Sequence, residues 1–173
     1  MTELLLNEQL YHDVLASRVP QAQQFLWIVT ADIKDLHVVK GRRSVPFLET
    51  LSDLVERSVS VRLIHAKEPG PRFRKDFDRY PNLIKSPLFE RILCPRVHTK
   101  TILIDGKLML QTSANLTGAG LGAKSPYRRN FESGILTDEP HLVQPMMEWI
   151  DDLYLGNPCL KCQRREVCPD PIL

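Results

Sequence analysis

No apolar run in the 173 residues approaches the roughly 20 that a membrane-crossing helix needs; the longest, such as Phe25–Val29, have strand length. No basic region precedes the short apolar stretch that follows Met1, so a signal peptide is not expected either. A soluble cytoplasmic protein without stable membrane association is the expectation. Internal repeats and low-complexity segments are also lacking, which excludes solenoids and fibrous classes. Cysteine is scarce: there are four, at Cys94, Cys159, Cys162 and Cys168. What is present is ordinary globular usage, with 43% hydrophobic and 25% charged residues. That composition excludes intrinsic disorder, and the length suits one domain with its own core.

The net charge of +2 is unevenly placed. Residues 1–33 carry −3 and residues 131–173 carry −5, whereas residues 34–130 carry +10. A concentrated positive block in a nearly neutral chain points to a polyanionic partner or an anionic substrate. Arg42, Arg43, Arg72, Arg74, Lys75, Arg128 and Arg129 are the candidates for contacts to such a partner.

Helical spacing over Glu3–Ser17 places Leu6, Leu10, Val14 and Leu15 on one stripe, and Pro20 closes it. Gln24–Ala31 reads as a buried strand. Ser44 is positioned to cap a helix carrying Phe47, Leu48, Leu51, Leu54 and Val55, and Ser58–Ile64 follows as a β-branched strand. Strand–helix–strand order predicts a βαβ unit with parallel pairing. Glu68–Pro87 reads as loop with one short helix. Strands are predicted at Phe89–Leu93, Lys100–Ile104, Lys107–Gln111 and Phe131–Leu136, with a hairpin at Asp105-Gly106 and a loop over Ser113–Tyr127. Pro140 starts an amphipathic helix that directs Leu142, Met146, Met147, Ile150 and Leu153 inward. Trp27 and Trp149 are expected in the core. The expected architecture is α/β: a mixed β-sheet with helices on both faces, in a single domain over residues 1–156, with a Cys-rich tail over residues 157–173.

The chemistry-bearing residues cluster around that hairpin. His98 and Lys100 stand two apart, so strand alternation puts them on one face where both reach one small anion. Thr112, Ser113 and Asn115 lie where the returning strand ends. An imidazole, an ammonium, a hydroxyl and an amide at one sheet edge make a phosphate site.

The stretch HTKTILID-GKLMLQ-TSAN, continued by Asn115-Leu116-Thr117-Gly118 and then by Asn130-Phe131-Glu132, resembles the phospholipase D superfamily signature. That signature is His-x-Lys-x4-Asp, then Gly-Ser and Asn, then Asn-x-Glu; here Thr112 stands where the family usually has Gly. The resemblance implies that His98 is a nucleophile towards a phosphodiester, with Lys100 and Asn115 offsetting charge on the nonbridging oxygens. It also implies that Ser113 touches the phosphate or its loop, and that Glu132 bonds the far nitrogen of the imidazole and so fixes its tautomer. Asp105, the last residue of the motif, sits beside the turn and is expected to hold the hairpin more than to perform chemistry. No cofactor is needed for that chemistry.

The mechanism needs two histidines, yet His12, His37, His65 and His141 have no Lys two positions later. Short bacterial nucleases of the superfamily carry one motif and form their site across a homodimer, so a two-fold homodimer with paired His98 residues is expected. The leading substrate reading is a nuclease acting on DNA or RNA. A phospholipase- or cardiolipin-synthase-like activity, and a non-catalytic nucleic-acid-binding subunit, are the alternatives. A larger complex supplying specificity would suit so small a domain. Cys159, Cys162 and Cys168, spaced C-x2-C-x5-C, together with Cys94 or His141, are the candidate ligands of a structural zinc or iron–sulfur centre.

Overall fold

The computed structural model describes residues 1–172. β1 (Thr2–Leu6) opens the chain, and a π-wound helix, Leu10–Arg18, follows it, with the Val19 N–H donating to the Val14 carbonyl. β2 (Phe25–Thr30), a small hairpin of β3 (His37–Lys40) and β4 (Arg43–Pro46), helix α1 (Phe47–Glu56) and β5 (Ser60–His65) complete the first half. Short helices α2 (Pro71–Phe77) and α3 (Pro81–Lys85) then lead to β6 (Phe89–Leu93). β7 (Thr101–Ile104), β8 (Leu108–Thr112), β9 (Ser133–Thr137) and the long helix α4 (Pro140–Tyr154) finish the domain. Among its described residues the tail beyond contains two short 3-10 turns, at Asn157–Lys161 and Arg165–Val167.

Seven strands form one mixed sheet in the order β1-β9-β8-β7-β2-β5-β6. β2, β5 and β6 run parallel, joined by α1 and then by the α2–α3 segment. The remaining pairs are antiparallel. Alternation sends Leu26, Ile28, Val61, Leu63, Ile102 and Ile104 to one face, where α1 and the Leu10–Arg18 helix cover them. Val29, Ile64, Leu103 and Met109 face the other way, under Val143 and Ile150 of α4. Both faces are therefore covered by helices.

One polar device pins α4 to its face. Arg62 lies 4.2 Å from the Trp27 ring centroid and 3.4 Å from that of Tyr154, and it donates to Asp151 at 2.9 Å. A guanidinium shielded between two aromatic faces gains attraction that an exposed one loses to water. Trp27 is thus half-buried against α4.

Several expectations change. Glu3–Leu6 belongs to an edge strand and not to a helix; only Leu5 of β1 is buried, so the apolar Leu4 and Leu6 point outward. Ser44 lies in β4, and α1 starts after Pro46, with the Phe47 N–H donating to the Leu36 carbonyl instead of to a capping side chain. The β3–β4 hairpin was not expected; its turn rests on Gly41 at φ +63°. On α4 the inward residues are Val143 and Ile150, with Met146, Met147 and Leu153 partly buried, whereas Leu142 and Trp149 are exposed. Among the described residues no helix is long and apolar enough to cross a membrane.

Candidate active site

The candidate residues sit where β7 begins and β8 ends. His98 is exposed and Lys100 half-buried in the short segment entering β7. Thr99 points to the opposite face, where the Gln111 amide donates to its hydroxyl at 2.9 Å and accepts from Thr101 at 2.6 Å. That bridge ties the His98 segment to β8 before any substrate arrives. Lys100 Nζ donates to the His98 carbonyl at 2.7 Å, so the ammonium is parked beside the imidazole-bearing residue.

Across the hairpin, the Ser113 hydroxyl donates to Glu132 at 2.5 Å. The other Glu132 oxygen accepts from the Asn130 amide at 3.1 Å. These are the hydrogen bonds of the Glu132 carboxylate within the chain; it makes none to His98 among the described residues, so the expected tautomer-fixing contact is not made within one chain. The Glu132 backbone is gripped in turn by Asn7, whose N–H donates to the Glu132 carbonyl at 2.8 Å and whose side-chain oxygen accepts the Glu132 N–H at 3.1 Å. Edge strand β1 is therefore followed at once by the residue that places Glu132. No motif announces Asn7.

Asn115 is oriented from the other side. Its oxygen accepts from the Asp32 N–H at 3.1 Å and from the Thr30 hydroxyl at 3.4 Å. With the oxygen so occupied, the amide NH2 is the end left to face an anion. Thr30 also accepts from the Leu116 N–H at 3.0 Å. The end of β2 thereby sets the rotamer of a residue 85 positions later.

Thr112, the departure from the family pattern, turns inward. Its hydroxyl donates to the Ser133 carbonyl at 2.7 Å and accepts from the Ala114 N–H at 3.1 Å. Opposite it in the β8–β9 register stands Gly134, where a Cβ would lie 2.9 Å from Leu10 Cδ2 and 3.0 Å from the Gln111 carbonyl oxygen. The Thr112 side chain is buried and is used to hold the strand end.

Asp105 is not part of the cluster. It lies at the far end of β7, on the order of 20 Å of extended chain from His98. Asp105 and Gly106 both have positive φ, +54° and +64°, as a tight hairpin turn requires. The Asp105 carboxylate accepts from the N–H groups of Gln23, Gln24 and Phe25 at 2.8–3.1 Å. It fastens the turn to the start of β2, at the opposite end of the hairpin from His98, Lys100 and Ser113.

Of the basic residues, Arg129 folds inward: it donates to the Lys124 carbonyl at 2.8 Å and to that of Gly122, and burial lowers its pKa from the usual guanidinium value. Arg74 is paired with Glu68 at 2.5 Å. Neither is a free backbone contact. His65 is wholly buried, its Nδ1 bonded to the Lys67 carbonyl at 2.7 Å, so it does not supply a second catalytic imidazole.

A cavity of about 310 Å³ opens beside His98, between the 94–99 segment, α4 and the tail, with Trp149, Cys94, Cys159 and Cys162 on its walls. A larger hollow of about 590 Å³, near Lys40 and Arg57, holds no motif residue. Burial first, then the neighbouring Cys168 and Cys159, push up the Cys94 thiol pKa. The Arg164 N–H first, then Arg96, whose Nη1 is 3.6 Å from the sulfur, lower that of Cys162. All four cysteines are unpaired thiols, and among the described residues no three His, Cys, Asp or Glu side chains are placed to hold a metal ion in this conformation.

Comparison with known proteins agrees with this fold. The family described as cardiolipin synthase, PLD-like domain, matches residues 15–154. The fold is similar to that of NucT from Helicobacter pylori, with a TM-score of 0.59 at 14% identity, over 88% of this chain and 95% of that one. It is similar to Nuc, a phospholipase D family member from Salmonella typhimurium, with a TM-score of 0.57 at 14% identity, over 88% and 93%. The archaeal chromatin protein TrmBL2 gives 0.59 at 13% identity, over 88% of this chain and 51% of that one. No curated protein sequence matches the chain.

Proposed function

The chain belongs to the phospholipase D superfamily, and on that premise we propose that it hydrolyses nucleic-acid phosphodiesters at a site completed by a second copy of itself. The observation that carries this reading is the gathering of His98, Lys100, Ser113 and Asn115 at one end of the β7–β8 hairpin, with a single motif histidine to serve a two-histidine reaction.

In the first step an imidazole nitrogen of His98 attacks phosphorus. The N–P bond forms as the P–O bond to the leaving nucleoside breaks, and the partner's His98 gives that oxygen its proton. In the second step water attacks the phosphohistidine, its proton passes to the partner's His98, and the N–P bond breaks. Lys100 and the Asn115 amide stabilise the charge gathering on the nonbridging oxygens. Ser113, held by Glu132, is the hydroxyl that touches the phosphate or its loop.

The +10 charge of residues 34–130 favours a polyanion over a lipid headgroup. The TrmBL2 likeness supports the same direction, since that protein is described by its mode of DNA binding. Cys94, Cys159, Cys162 and Cys168 are the residues that would hold a structural zinc or iron–sulfur centre, which would clip the tail to the sheet, although as they stand no three of them are gathered into such a site. Metal analysis of anaerobically purified protein tests that part.

The test of function is cleavage of labelled single- and double-stranded DNA and RNA in EDTA by the wild type and by His98→Ala. Wild-type cleavage that His98→Ala reduces by about 10⁴-fold or more is expected. Binding without cleavage by the wild type would favour a phosphate clamp, and neither binding nor cleavage would favour a lipid phosphodiester.

A further inference from the structure

The loop that runs into Glu132 exposes two aromatic rings to water. Tyr127 is 99% exposed and Phe131 96%, while the next most exposed aromatic residue, Trp149, is at 48%. The loop is nonetheless held in shape. Arg129 reaches inward to the carbonyls of Gly122 and Lys124 and lies 5.4 Å from the Tyr11 ring centroid. The Asn130 N–H donates to the Ala119 carbonyl at 3.0 Å, and that of Arg128 to the Ser125 carbonyl at 2.9 Å. An inward arginine thus fixes a loop whose outward side chains include Lys124, Tyr127, Arg128 and Phe131.

Exposed apolar rings on an anchored segment mark a contact surface. The cations between them narrow the partner. A two-fold contact between copies through this patch would set Lys124 and Arg128 near their own counterparts, which like charge opposes. A polyanion that also carries flat apolar faces satisfies both sets of groups at once. Unpaired nucleic acid does so, because each base offers a π-face and each phosphate a charge. A duplex keeps those faces inside its own stack.

We propose that Tyr127 and Phe131 are stacking platforms for unpaired bases flanking the scissile phosphate, so that the protein takes single strands in preference to duplex. This rests on the nucleic-acid reading above and specifies its substrate. Phe131 adjoins Glu132, which bonds Ser113, so a strand crossing the rings arrives directly at the phosphate-facing groups.

The test compares binding of a labelled single-stranded oligonucleotide and its duplex, in EDTA, by the full chain, by Tyr127→Ala, by Phe131→Ala and by the double variant. Each substitution is expected to weaken single-strand binding by about tenfold, with duplex binding changed less than about twofold. Phe131→Tyr should retain the wild-type affinity. Both rings lie almost wholly in water, so the variants should melt at the wild-type temperature. Unchanged single-strand affinity in the double variant would overturn the inference while leaving the nuclease reading intact. Conversion of a dimer to a monomer by the double variant, read by light scattering, would also overturn it and assign the rings to the self-interface. Loss of binding to anionic vesicles with nucleic-acid binding unchanged would overturn it in favour of a lipid surface. Absence of nucleic-acid binding in the wild type would remove the underlying reading itself.

Discussion

The two ends of the β7–β8 hairpin carry the same motif to different purposes. At one end Asp105 spends its carboxylate on three consecutive backbone N–H groups, and little of it is left for an incoming ligand. At the other end the polar groups are held from behind and left open in front. Asn115 is fixed through its oxygen, and Lys100 is held by a single carbonyl. Ser113 is gripped by Glu132, which Asn7 holds in place by its backbone. A group whose bonding is complete supports the fold, and a group oriented but incompletely bonded is available for chemistry. Spacing in the chain distinguishes neither case.

That contrast predicts a separation of effects. Lys100→Met should lower kcat/KM by about 10²–10³-fold while leaving stability within about 0.5 kcal/mol, read by cleavage kinetics beside thermal melting. Equal losses of activity and stability would show that Lys100 serves the fold. Asp105→Ala should do the reverse, costing about 2 kcal/mol of stability through lost charged hydrogen bonds and an unfavourable left-handed turn residue. Its activity per folded molecule should stay within about twofold; a hundredfold loss would return Asp105 to the site. The smallest effect is expected from Thr112→Gly, which removes both hydroxyl bonds at the strand end. It should lower stability by about 1 kcal/mol without raising activity. A tenfold gain in kcat/KM would show instead that the Thr112 Cβ obstructs the phosphate.

Much of this was legible from local pattern. The buried strand at Phe25–Thr30, the strand at Phe89–Leu93, the Asp105-Gly106 turn and the helix after Pro140 each carry a signal within a few residues. The motif located His98, Lys100, Ser113, Asn115 and Glu132. What stayed illegible is set by long-range pairing. Leu4–Leu6 carries apolar residues that suit a helix, but antiparallel pairing to β9 makes it an edge strand. Leu142 and Trp149 fall outside because the centre of the α4 contact runs through Val143 and Ile150, one residue away from each. Asn7, Thr30 and Asp32 act on the site through bonds spanning 83 to 125 positions, and no local pattern encodes such contacts. Tyr127 did leave a trace, since an aromatic residue in a loop with Gly118, Gly120 and Gly122 has no core to join, whereas Phe131 was expected in a strand that in fact starts at Ser133; the exposure of both rings only the fold could show.

The central claim, one site built by two copies, is tested most directly by mixing wild-type protein with His98→Ala at constant total concentration after subunit exchange. If each site needs His98 from both copies, mixed dimers are inactive and activity follows the square of the wild-type fraction, giving about one quarter at an equal mixture. A linear decline, with about one half remaining, would mean that each chain works alone and would contradict the account.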